Sequence, residues 1–286
     1  MNAQADDRHR APPDDAPLAA GEVLVPGSIV DEHLHRSRYL DIYSVWSPVR
    51  ACYCVAKVAR PDRRADRGVT RDLLREGRLL RRFTHPHLVR AYEVVTRPLP
   101  CAILESLPGP TLARLLAGGR PRLPLTELVY LGLHLCSALH YLHGHNLLHL
   151  DLTPGNIVVM PPLAKLLDLS IARSPGRGRA GWGTREYMAP EQARGGTFSP
   201  ATDVWGLGMV LFEAATGQRP FGTDPSPTEY AQLVNQATPI RHHRRLPRGL
   251  GTLLDRCLEQ DPAQRPTVGA LTAGLQELVG AANTPS

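Results

Sequence analysis

The fold is decided by the run His149-Leu-Asp-Leu-Thr-Pro-Gly-Asn156 and by the aspartate that follows it at position 168. Asp151 lies on a predicted loop, Asn156 follows five residues later, and Asp168 comes directly after a pair of short predicted strands. Hard cations such as Mg²⁺ prefer oxygen ligands, and phosphoryl transfer depends on positioning and charge neutralisation more than on covalent chemistry. The pattern therefore predicts a site for magnesium and phosphate.

Upstream of this run, the chain has the pattern of a β-rich lobe. Segments rich in β-branched and aromatic residues predict four strands, at 39–46, 51–58, 89–95 and 102–105. Leucines spaced among arginines at 70–83 predict an amphipathic helix with Thr70 as its N-cap. The sequence Leu-Pro-Gly-Pro at 107–110 interrupts regular structure and predicts a boundary there.

After this boundary the apolar periodicity becomes helical. The predicted helices are 111–117, 125–144, 203–217, 226–236, 248–260 and 268–280, interrupted by a strand pair at 156–160 and 164–167. The sequence thus predicts a small β-rich lobe at 23–107 and a larger α-helical lobe at 108–280. Residues 1–22 and 281–286 are predicted to be disordered tails.

Further motifs follow in an order that is typical of one known family. They are Cys54-Val-Ala-Lys57, Glu76 within the predicted helix, Gly183 to Glu191, Asp203-Val-Trp-Gly206, and Arg265. Together with the run at 149–156, they resemble a eukaryotic-type protein kinase of the sort found in bacteria as serine/threonine kinases. The resemblance covers residues 28–278 and implies an α+β, bilobal protein-kinase-like fold.

The resemblance implies a role for each matched residue. Asp151 would accept the proton of the substrate hydroxyl as a general base. Lys57, held by Glu76, would contact the α- and β-phosphates of ATP. Asn156 and Asp168 would hold Mg²⁺ between the phosphates. The implied reaction is transfer of the γ-phosphate of ATP to a hydroxyl of a protein substrate.

Three more positions are assigned by the same resemblance. Glu105 and Leu107 bracket the hinge that would accept the adenine edge through backbone groups. Thr153 belongs to the predicted catalytic set, at the position where serine/threonine kinases usually have a lysine that steadies the γ-phosphate. Loss of such a donor can cost on the order of 10²- to 10³-fold in rate, so Thr153 predicts a weaker enzyme.

Other positions also depart from the family pattern. His35, Ser37 and Leu40 align with the glycines of the phosphate-covering loop. Such residues at positive φ would cost roughly 1–2 kcal/mol each, so we expect another loop shape and a lower nucleotide affinity. Leu150 replaces the arginine that reads a phosphate on the activation segment, which makes switching by phosphorylation of that segment a weaker expectation. The basic, glycine-rich stretch at 174–179 is predicted to be mobile.

Three functions are compatible with these motifs. An active protein serine/threonine kinase is favoured because all five implied functional groups are retained together: Lys57, Glu76, Asp151, Asn156 and Asp168. The glycine-free loop and Thr153 leave open a pseudokinase, a nucleotide-sensing or scaffolding module. A small-molecule phosphotransferase shares the run at 149–156, but it is not expected to carry the motifs at 183–191, Asp203 and Arg265 as well.

Composition excludes several other classes of protein. With 42% hydrophobic and 21% charged residues, the chain is neither disordered nor fibrous. No apolar run reaches the ~18 residues of a membrane span, and the N-terminus lacks a signal-peptide pattern. A cytoplasmic location is therefore expected, with control by a cytoplasmic regulator or constitutive activity.

The distribution of charged, histidine and cysteine residues bears on three further classes of site: nucleic-acid binding, zinc binding and disulfides. The net charge is +6, but the arginines are dispersed without a basic helix or aromatic-interleaved patch, so no nucleic-acid partner is expected. The histidines between positions 134 and 149 lack cysteine or acidic partners at zinc spacing. The five scattered cysteines predict reduced, buried thiols.

Overall fold

The computed structural model of the protein describes residues 16–118, 122–222 and 230–282. The chain divides into two compact units; the first ends at Ser106 and the second continues from Leu107. The short segment Thr84–Val89 belongs to the second unit although it precedes that point in sequence. No helix within the described ranges has both the length and the apolar character needed to cross a membrane.

The first unit consists of a sheet and one helix. Its strands are β1 (Val23–Val25), β2 (Ser28–Arg36), β3 (Leu40–Ser47), β4 (Cys52–Ala59), β5 (Ala91–Val95) and β6 (Cys101–Glu105), and its helix is α1 (Arg67–Arg82). The strands are antiparallel and lie in the order β1-β2-β3-β4-β6-β5. The two predicted strands at 39–46 and 51–58 are therefore the centre of the sheet.

One face of this sheet forms the core of the first unit. Alternate residues of the central strands are buried, among them Tyr43 and Val45 of β3 and Cys54 and Ala56 of β4. This is the period of two that a half-buried strand requires. The backbone N–H of Leu18 donates to the Tyr43 hydroxyl at 3.0 Å, and the Leu18 side chain packs on this core. Part of the segment predicted as a disordered tail therefore contributes to the fold.

Helix α1 begins earlier than the sequence predicted. Its N-cap is Asp66, whose carboxylate accepts from the backbone N–H groups of Gly68 and Val69. The prediction of Thr70 as the cap is wrong, because Asp66 satisfies these first donors one turn earlier. The helix lies close to the sheet at Gly77, where an added Cβ would come within 3.0 Å of side chains on β5 and β6.

The second unit is mainly helical. Its elements are α2 (Leu112–Ala117), α3 (Leu125–Gly144), β7 (Ile157–Met160), β8 (Leu163–Leu166), β9 (Gly176–Arg177), α4 (Pro190–Arg194), β10 (Thr197–Phe198), α5 (Pro200–Thr216), α6 (Ala231–Val234), α7 (Arg248–Cys257) and α8 (Val268–Ala282). Strand β7 pairs with β8, and β9 pairs with β10. The predicted helix at 226–236 is helical only over α6 among its described residues, and 226–229 lie outside the described part.

Two apolar helices, α3 and α5, form the centre of the second unit. Nearly every residue of α5 between Thr202 and Ala215 is buried, and α3 packs against both α5 and α8. An added Cβ at Gly132 of α3 would lie 2.8 Å from Leu275 of α8, so these helices approach closely there. All five cysteines are free; four are buried and Cys52 is half-buried. Burial raises the pKa of Cys136 to about 12.

Two ring stacks join α3 to the segment that precedes it. The rings of His134 and His87 stack at 4.1 Å, and the rings of His85 and Tyr141 stack at 5.1 Å. The described residues contain no group of three or more histidine, cysteine or acidic side chains arranged to hold a metal ion. His85, His87 and His134 are therefore packing residues of the second unit.

Acid is expected to destabilise the second unit through this stack. Burial, with a smaller contribution from His87, lowers the pKa of His134 to about 4, and burial also lowers that of His85. The neutral rings thus stabilise the fold above pH ~6.5, and this contribution is lost as the pH falls towards 4. His134→Phe keeps a ring that can stack and removes the titration. The free energy of unfolding falls between pH 7 and pH 4, and His134→Phe should make this fall smaller by about 1–2 kcal/mol. Denaturant unfolding at a series of pH values measures it. Replacement of the exposed His140 by Phe should leave the fall unchanged, and an equal pH dependence of the two variants would contradict this explanation.

Candidate active site

Lys57 and Glu76 form an ion pair within the first unit. Lys57 lies on β4 and Glu76 on the sheet-facing side of α1, and Lys57 Nζ is 2.6 Å from Glu76 Oε1. Glu76 is 1% exposed, so its charge would be costly without a cationic partner. The predicted partners are therefore together, and the lysine nitrogen has a fixed position at the sheet face.

The hairpin between β2 and β3 replaces the expected glycine-rich loop. The Ser37 side chain closes its turn by accepting from the backbone N–H of Leu40 at 3.0 Å and donating to the Leu40 carbonyl at 3.1 Å. No residue between positions 34 and 43 has a positive φ. The expectation of a different loop shape is confirmed, because a tight serine-closed turn removes the need for glycine here.

Next to this turn, charged side chains fix the hairpin. Asp41 is buried and accepts from Arg36 Nε at 2.7 Å and from His33 Nε2 at 3.0 Å. Burial alone would raise the pKa of Asp41, but the hydrogen bonds from Arg36 and His33 outweigh it and hold that pKa below its usual value. Cross-strand pairing places His35 opposite Ile42, and Ile42 opposite Lys57. Directly opposed residues share a sheet face, so His35 lies on the face that carries Lys57.

Asp151 is held by residues on both sides within the second unit. The backbone N–H and the hydroxyl of Thr184 each donate to Asp151 Oδ1 at 2.8 Å. Asn156 Nδ2 donates to Asp151 Oδ2 at 3.0 Å and to the Asp151 carbonyl at 2.9 Å. The carboxylate is thus fixed in orientation by donors and is only partly buried, as a group that receives a substrate proton must be.

A buried carboxylate fixes the loop that carries Asp151. Asp203 Oδ1 accepts from the Leu150 backbone N–H at 2.7 Å, and Oδ2 accepts from the His149 N–H at 2.9 Å and from His143 Nε2 at 2.8 Å. Leu150 has φ of +69°, which a side chain rarely adopts. The charge-assisted bonds to Asp203 hold this strained backbone in place.

The ring of His149 connects this loop to Asp168. Asp151 donates its backbone N–H to His149 Nδ1 at 3.2 Å, so Nε2 carries the proton and donates to the Leu167 carbonyl at 3.0 Å. Leu167 also donates its own N–H to the Asn156 carbonyl at 2.8 Å. Asp168, the next residue, is therefore adjacent to Asn156, and it too has a positive φ, of +59°.

These residues fit a magnesium ion by the chemistry of their side chains. The Asn156 NH₂ group donates to Asp151, so the amide oxygen is the atom of this side chain that would bind a metal ion. Asp168 adds a carboxylate, of which Oδ1 accepts from the Ser170 N–H at 2.8 Å. Magnesium in phosphoryl-transfer sites is typically held by one or two protein oxygens, with phosphates and water completing its shell. Asn156 and Asp168 are a set of this kind.

Two residues of the basic stretch at 174–179 form a short strand. This strand, β9, pairs with β10, with Arg177 opposite Thr197, and the Gly178 N–H donates to the Gly196 carbonyl at 2.8 Å. The mobility of the stretch stays a prediction, and the structure shows close packing at its glycine. An added Cβ on Gly178 would lie 2.0 Å from the Phe198 ring.

Leu150 is part of an apolar cluster beneath this stretch. It is buried with Leu148 and Phe198, and Ile171 packs against all three. The arginine that the family has at this position would be unpaired in such surroundings. The segment is thus held by apolar packing and backbone hydrogen bonds.

The segment between Gly183 and Glu191 is fixed to the rest of the second unit. Gln192 Nε2 donates to the carbonyls of Leu150 and Trp182, at 2.9 and 2.7 Å. Glu191 receives a bidentate pair of bonds, at 2.8 and 2.9 Å, from Arg265, whose side chain is fully buried. Gly183 has φ of +125°, and a Cβ there would lie 3.0 Å from the Leu150 carbonyl oxygen.

Three predicted site residues have not yet been placed: Thr153, Glu105 and Leu107. Thr153 is buried, and its carbonyl accepts from the Asn156 N–H at 3.0 Å. Glu105 ends β6 and accepts from the Arg90 N–H at 2.8 Å, and Leu107 is half-buried at the start of the second unit.

Two important residues lacked an assigned role in the sequence. His143 lies at the end of the helix predicted at 125–144, and no sequence pattern indicates its bond to Asp203. Gln192 stands next to a recognised motif, but its two bonds to carbonyls depend on the folded path of the 182–192 segment. Neither contact can be derived from local pattern.

Comparison with known proteins agrees with this geometry. The sequence profile of the family described as protein kinase domain matches residues 39–276. Serine/threonine-protein kinase PkaA of Streptomyces coelicolor is 34% identical over 232 residues, which cover 77% of this chain and 42% of PkaA. Serine/threonine-protein kinase PknB of Mycobacterium tuberculosis is 30% identical over 263 residues, covering 86% of this chain and 40% of PknB.

A human protein, mitogen-activated protein kinase kinase kinase 11, is 32% identical over 240 residues, covering 78% of this chain and 28% of that protein. The chain thus spans less than half the length of each of these curated relatives. The family profile nevertheless extends from the β2–β3 hairpin to α8 and includes every element that carries a candidate site residue. On this match and on the motifs that the fold assembles, the chain belongs to the protein kinase domain family.

Proposed function

We propose that the protein is an ATP- and Mg²⁺-dependent serine/threonine kinase that phosphorylates a hydroxyl group of a protein substrate. The observation that carries the proposal is the environment of Asp151. Its carboxylate is oriented by Thr184 and Asn156 and remains partly exposed. A scaffold without catalysis has no need for an oriented, accessible carboxylate at this position.

Asp151 acts as the general base. An ionised carboxylate has about four acceptor sites, and Thr184 and Asn156 provide three donors. The remaining site accepts the hydrogen bond of the substrate hydroxyl. It takes the proton as the hydroxyl oxygen bonds to the γ-phosphorus of ATP and the bond from that phosphorus to the β-phosphate oxygen breaks, which releases ADP. Since the donors also fix the carboxylate, the hydroxyl is aligned before the reaction.

Lys57 supplies positive charge to the α- and β-phosphates of ATP. Glu76 Oε1 accepts from the lysine nitrogen at 2.6 Å, which holds the ammonium group in one position on the sheet face. Glu105 and Leu107 bind the adenine edge through backbone groups, and Thr153 lies beside the reacting phosphate without a charge of its own. Asn156 and Asp168 hold Mg²⁺, which neutralises charge on the phosphates when it is bound.

The second candidate function is a pseudokinase that senses nucleotide or serves as a scaffold. The observation that favours it is the β2–β3 hairpin. Its turn is closed by Ser37, and residues such as His35 carry side chains where glycine would let a phosphate approach the backbone N–H groups. A lower affinity for ATP is expected from this turn under either function.

Transfer and binding measured on the same variants separate the two functions. Lys57→Met should reduce transfer of phosphate from ATP to a generic protein substrate by roughly 10²- to 10³-fold, since it removes one preorganised cation. Replacement of the exposed Arg81 on α1 by Met is the matched control and should retain activity. If the wild type binds Mg²⁺–ATP in a thermal-shift assay but transfers no phosphate, the kinase proposal fails and the pseudokinase alternative is correct.

A further inference from the structure

The segment next to the catalytic loop carries arginines without counter-ions. Arg177 and Arg179 on the 174–187 segment and Arg194 at the end of α4 are exposed, and none forms an ion pair within the described ranges. We refer to these three residues as the arginine surface. Exposed arginines are often simply solvated, so the case for a ligand rests on what surrounds them and how they are held.

Every acidic residue in the surrounding sequence has another partner. Between positions 169 and 213 the acids are Glu186, Glu191, Asp203 and Glu213. Arg219 lies 3.8 Å from Glu186, and Arg265 pairs with Glu191. Asp203 is buried against the catalytic loop, and Glu213 accepts from the Tyr187 hydroxyl at 2.6 Å. The positive charge of the arginine surface is therefore not neutralised by this stretch of the chain.

The backbone beneath the arginine surface is fixed. Arg177 belongs to β9, and the next residue, Gly178, donates to Gly196 and lies directly on the Phe198 ring. An added Cβ on Gly195 would come within 3.0 Å of the Ala180 nitrogen, so the chain after Arg179 lies against the turn that follows Arg194. The three arginines thus lie on two adjoining stretches of chain, 177–179 and the end of α4, whose backbones pack against each other. A partner that binds there does not have to order the backbone first.

The same segment leads directly to Asp151. Five residues after Arg179 comes Thr184, whose N–H and hydroxyl both donate to the Asp151 carboxylate. Five residues of extended chain span at most about 18 Å. A peptide with its acceptor hydroxyl at Asp151 therefore reaches the arginine surface with residues a few positions away from the acceptor.

We propose that the arginine surface selects acidic protein substrates, with aspartate or glutamate a few positions from the phosphorylated serine or threonine. This inference rests on the proposed kinase function and specifies its substrate class. Arginine guanidinium groups donate bidentate hydrogen bonds to carboxylates. Three of them on a fixed backbone favour a peptide with several acids and disfavour a basic one by charge repulsion.

The test compares acidic, neutral and basic peptides that share one acceptor serine. The wild type should phosphorylate the acidic peptide with a kcat/KM at least about tenfold above that of the neutral peptide, mainly through KM. The combined variant Arg177→Gln, Arg179→Gln, Arg194→Gln should abolish this preference, and the corresponding glutamate variant should shift it towards the basic peptide. As a matched control, the exposed Arg241, Arg245 and Arg248 of the same unit are replaced together by glutamine, and the preference should persist.

Binding of the same peptides to the full chain is measured by fluorescence anisotropy at low and high salt. This measurement keeps the substrate-class inference separate from the kinase proposal. If no peptide is phosphorylated, the kinase function fails, while tighter, salt-sensitive binding of the acidic peptide that the glutamine variant loses still supports the arginine surface. Equal use and equal binding of the three peptides, or a preference that the glutamine variant retains, would overturn the inference.

Discussion

Replacement of Asp151 by asparagine is expected to lower the rate of phosphoryl transfer by roughly 10²- to 10⁴-fold, the usual contribution of a general base. The amide cannot take the proton of the substrate hydroxyl. It also cannot satisfy both of its neighbours, because Thr184 donates to one side of the group and Asn156 donates to the other. One side of the asparagine would present its NH₂ group to another donor, so alignment is lost together with basicity.

The rate is measured with saturating ATP and a generic protein substrate, and the fold is checked by the melting temperature. Asp72→Asn, an exposed change of the same chemistry on α1, serves as the control and should leave the rate unchanged. The Asp151 variant should still bind Mg²⁺–ATP, because its assigned role does not include the nucleotide. A rate within twofold of the wild type would remove Asp151 from the catalytic role.

Asp203→Asn is expected to give the largest loss of stability among single substitutions in this region. The carboxylate accepts from two backbone N–H groups and from His143, and it is 1% exposed. An amide in its place turns one acceptor oxygen into a donor and leaves a buried donor without a partner. Disruption of a buried network of this kind costs about 3–5 kcal/mol. The melting temperature of the second unit should therefore fall by roughly 10 °C.

Activity should fall with this variant even below its melting temperature. Asp203 holds the backbone of His149 and Leu150, the two residues before the general base, so the position of Asp151 depends on it. His143→Phe is the matched comparison, because it removes only the side-chain donor and leaves the backbone bonds in place. It should cost about 1 kcal/mol. Equal destabilisation by the two variants would mean that the backbone bonds contribute little.

Long apolar patterns made much of the fold predictable from sequence. Helix α3 has the predicted bounds of 125–144, and the central strands of the first unit fall within two residues of their predicted positions. Other strands were missed, among them the nine-residue β2, most of whose residues are exposed or half-buried. Strands β9 and β10 have two residues each, and their pairing depends on Gly178 lying on Phe198, a contact between distant parts of the chain. Such close contacts leave no periodic signal in the sequence.

The cap of α1 shows how a local signal can be assigned to the wrong residue. Thr70 and Asp66 are both good N-cap residues, and the apolar periodicity alone begins closer to Thr70. Asp66 is the cap because the helix includes a first turn, from Arg67 to Thr70, in which no residue is buried. Periodicity of apolar residues detects the buried part of a helix and not its solvated first turn.

The site was predictable as a set of residue types but not as a network. The motif spacing indicated Asp151, Asn156 and Asp168, and it indicated Lys57 together with Glu76. The contacts that orient these groups come from Thr184, His143 and Gln192, which lie far from them in sequence. The same limit applies to the phosphate-covering hairpin. Sequence predicted that it would differ from the family, and only the structure identifies the Ser37-closed turn.

The most direct test of the account is transfer of label from γ-labelled ATP by the purified chain. The wild type is incubated with and without Mg²⁺, alone and with a generic protein substrate, beside Lys57→Met and Asp151→Asn. We predict incorporation into serine or threonine that requires Mg²⁺ and is lost in both variants. Absence of label from the wild type under every condition, or label that persists in both variants, would contradict the proposed catalytic function.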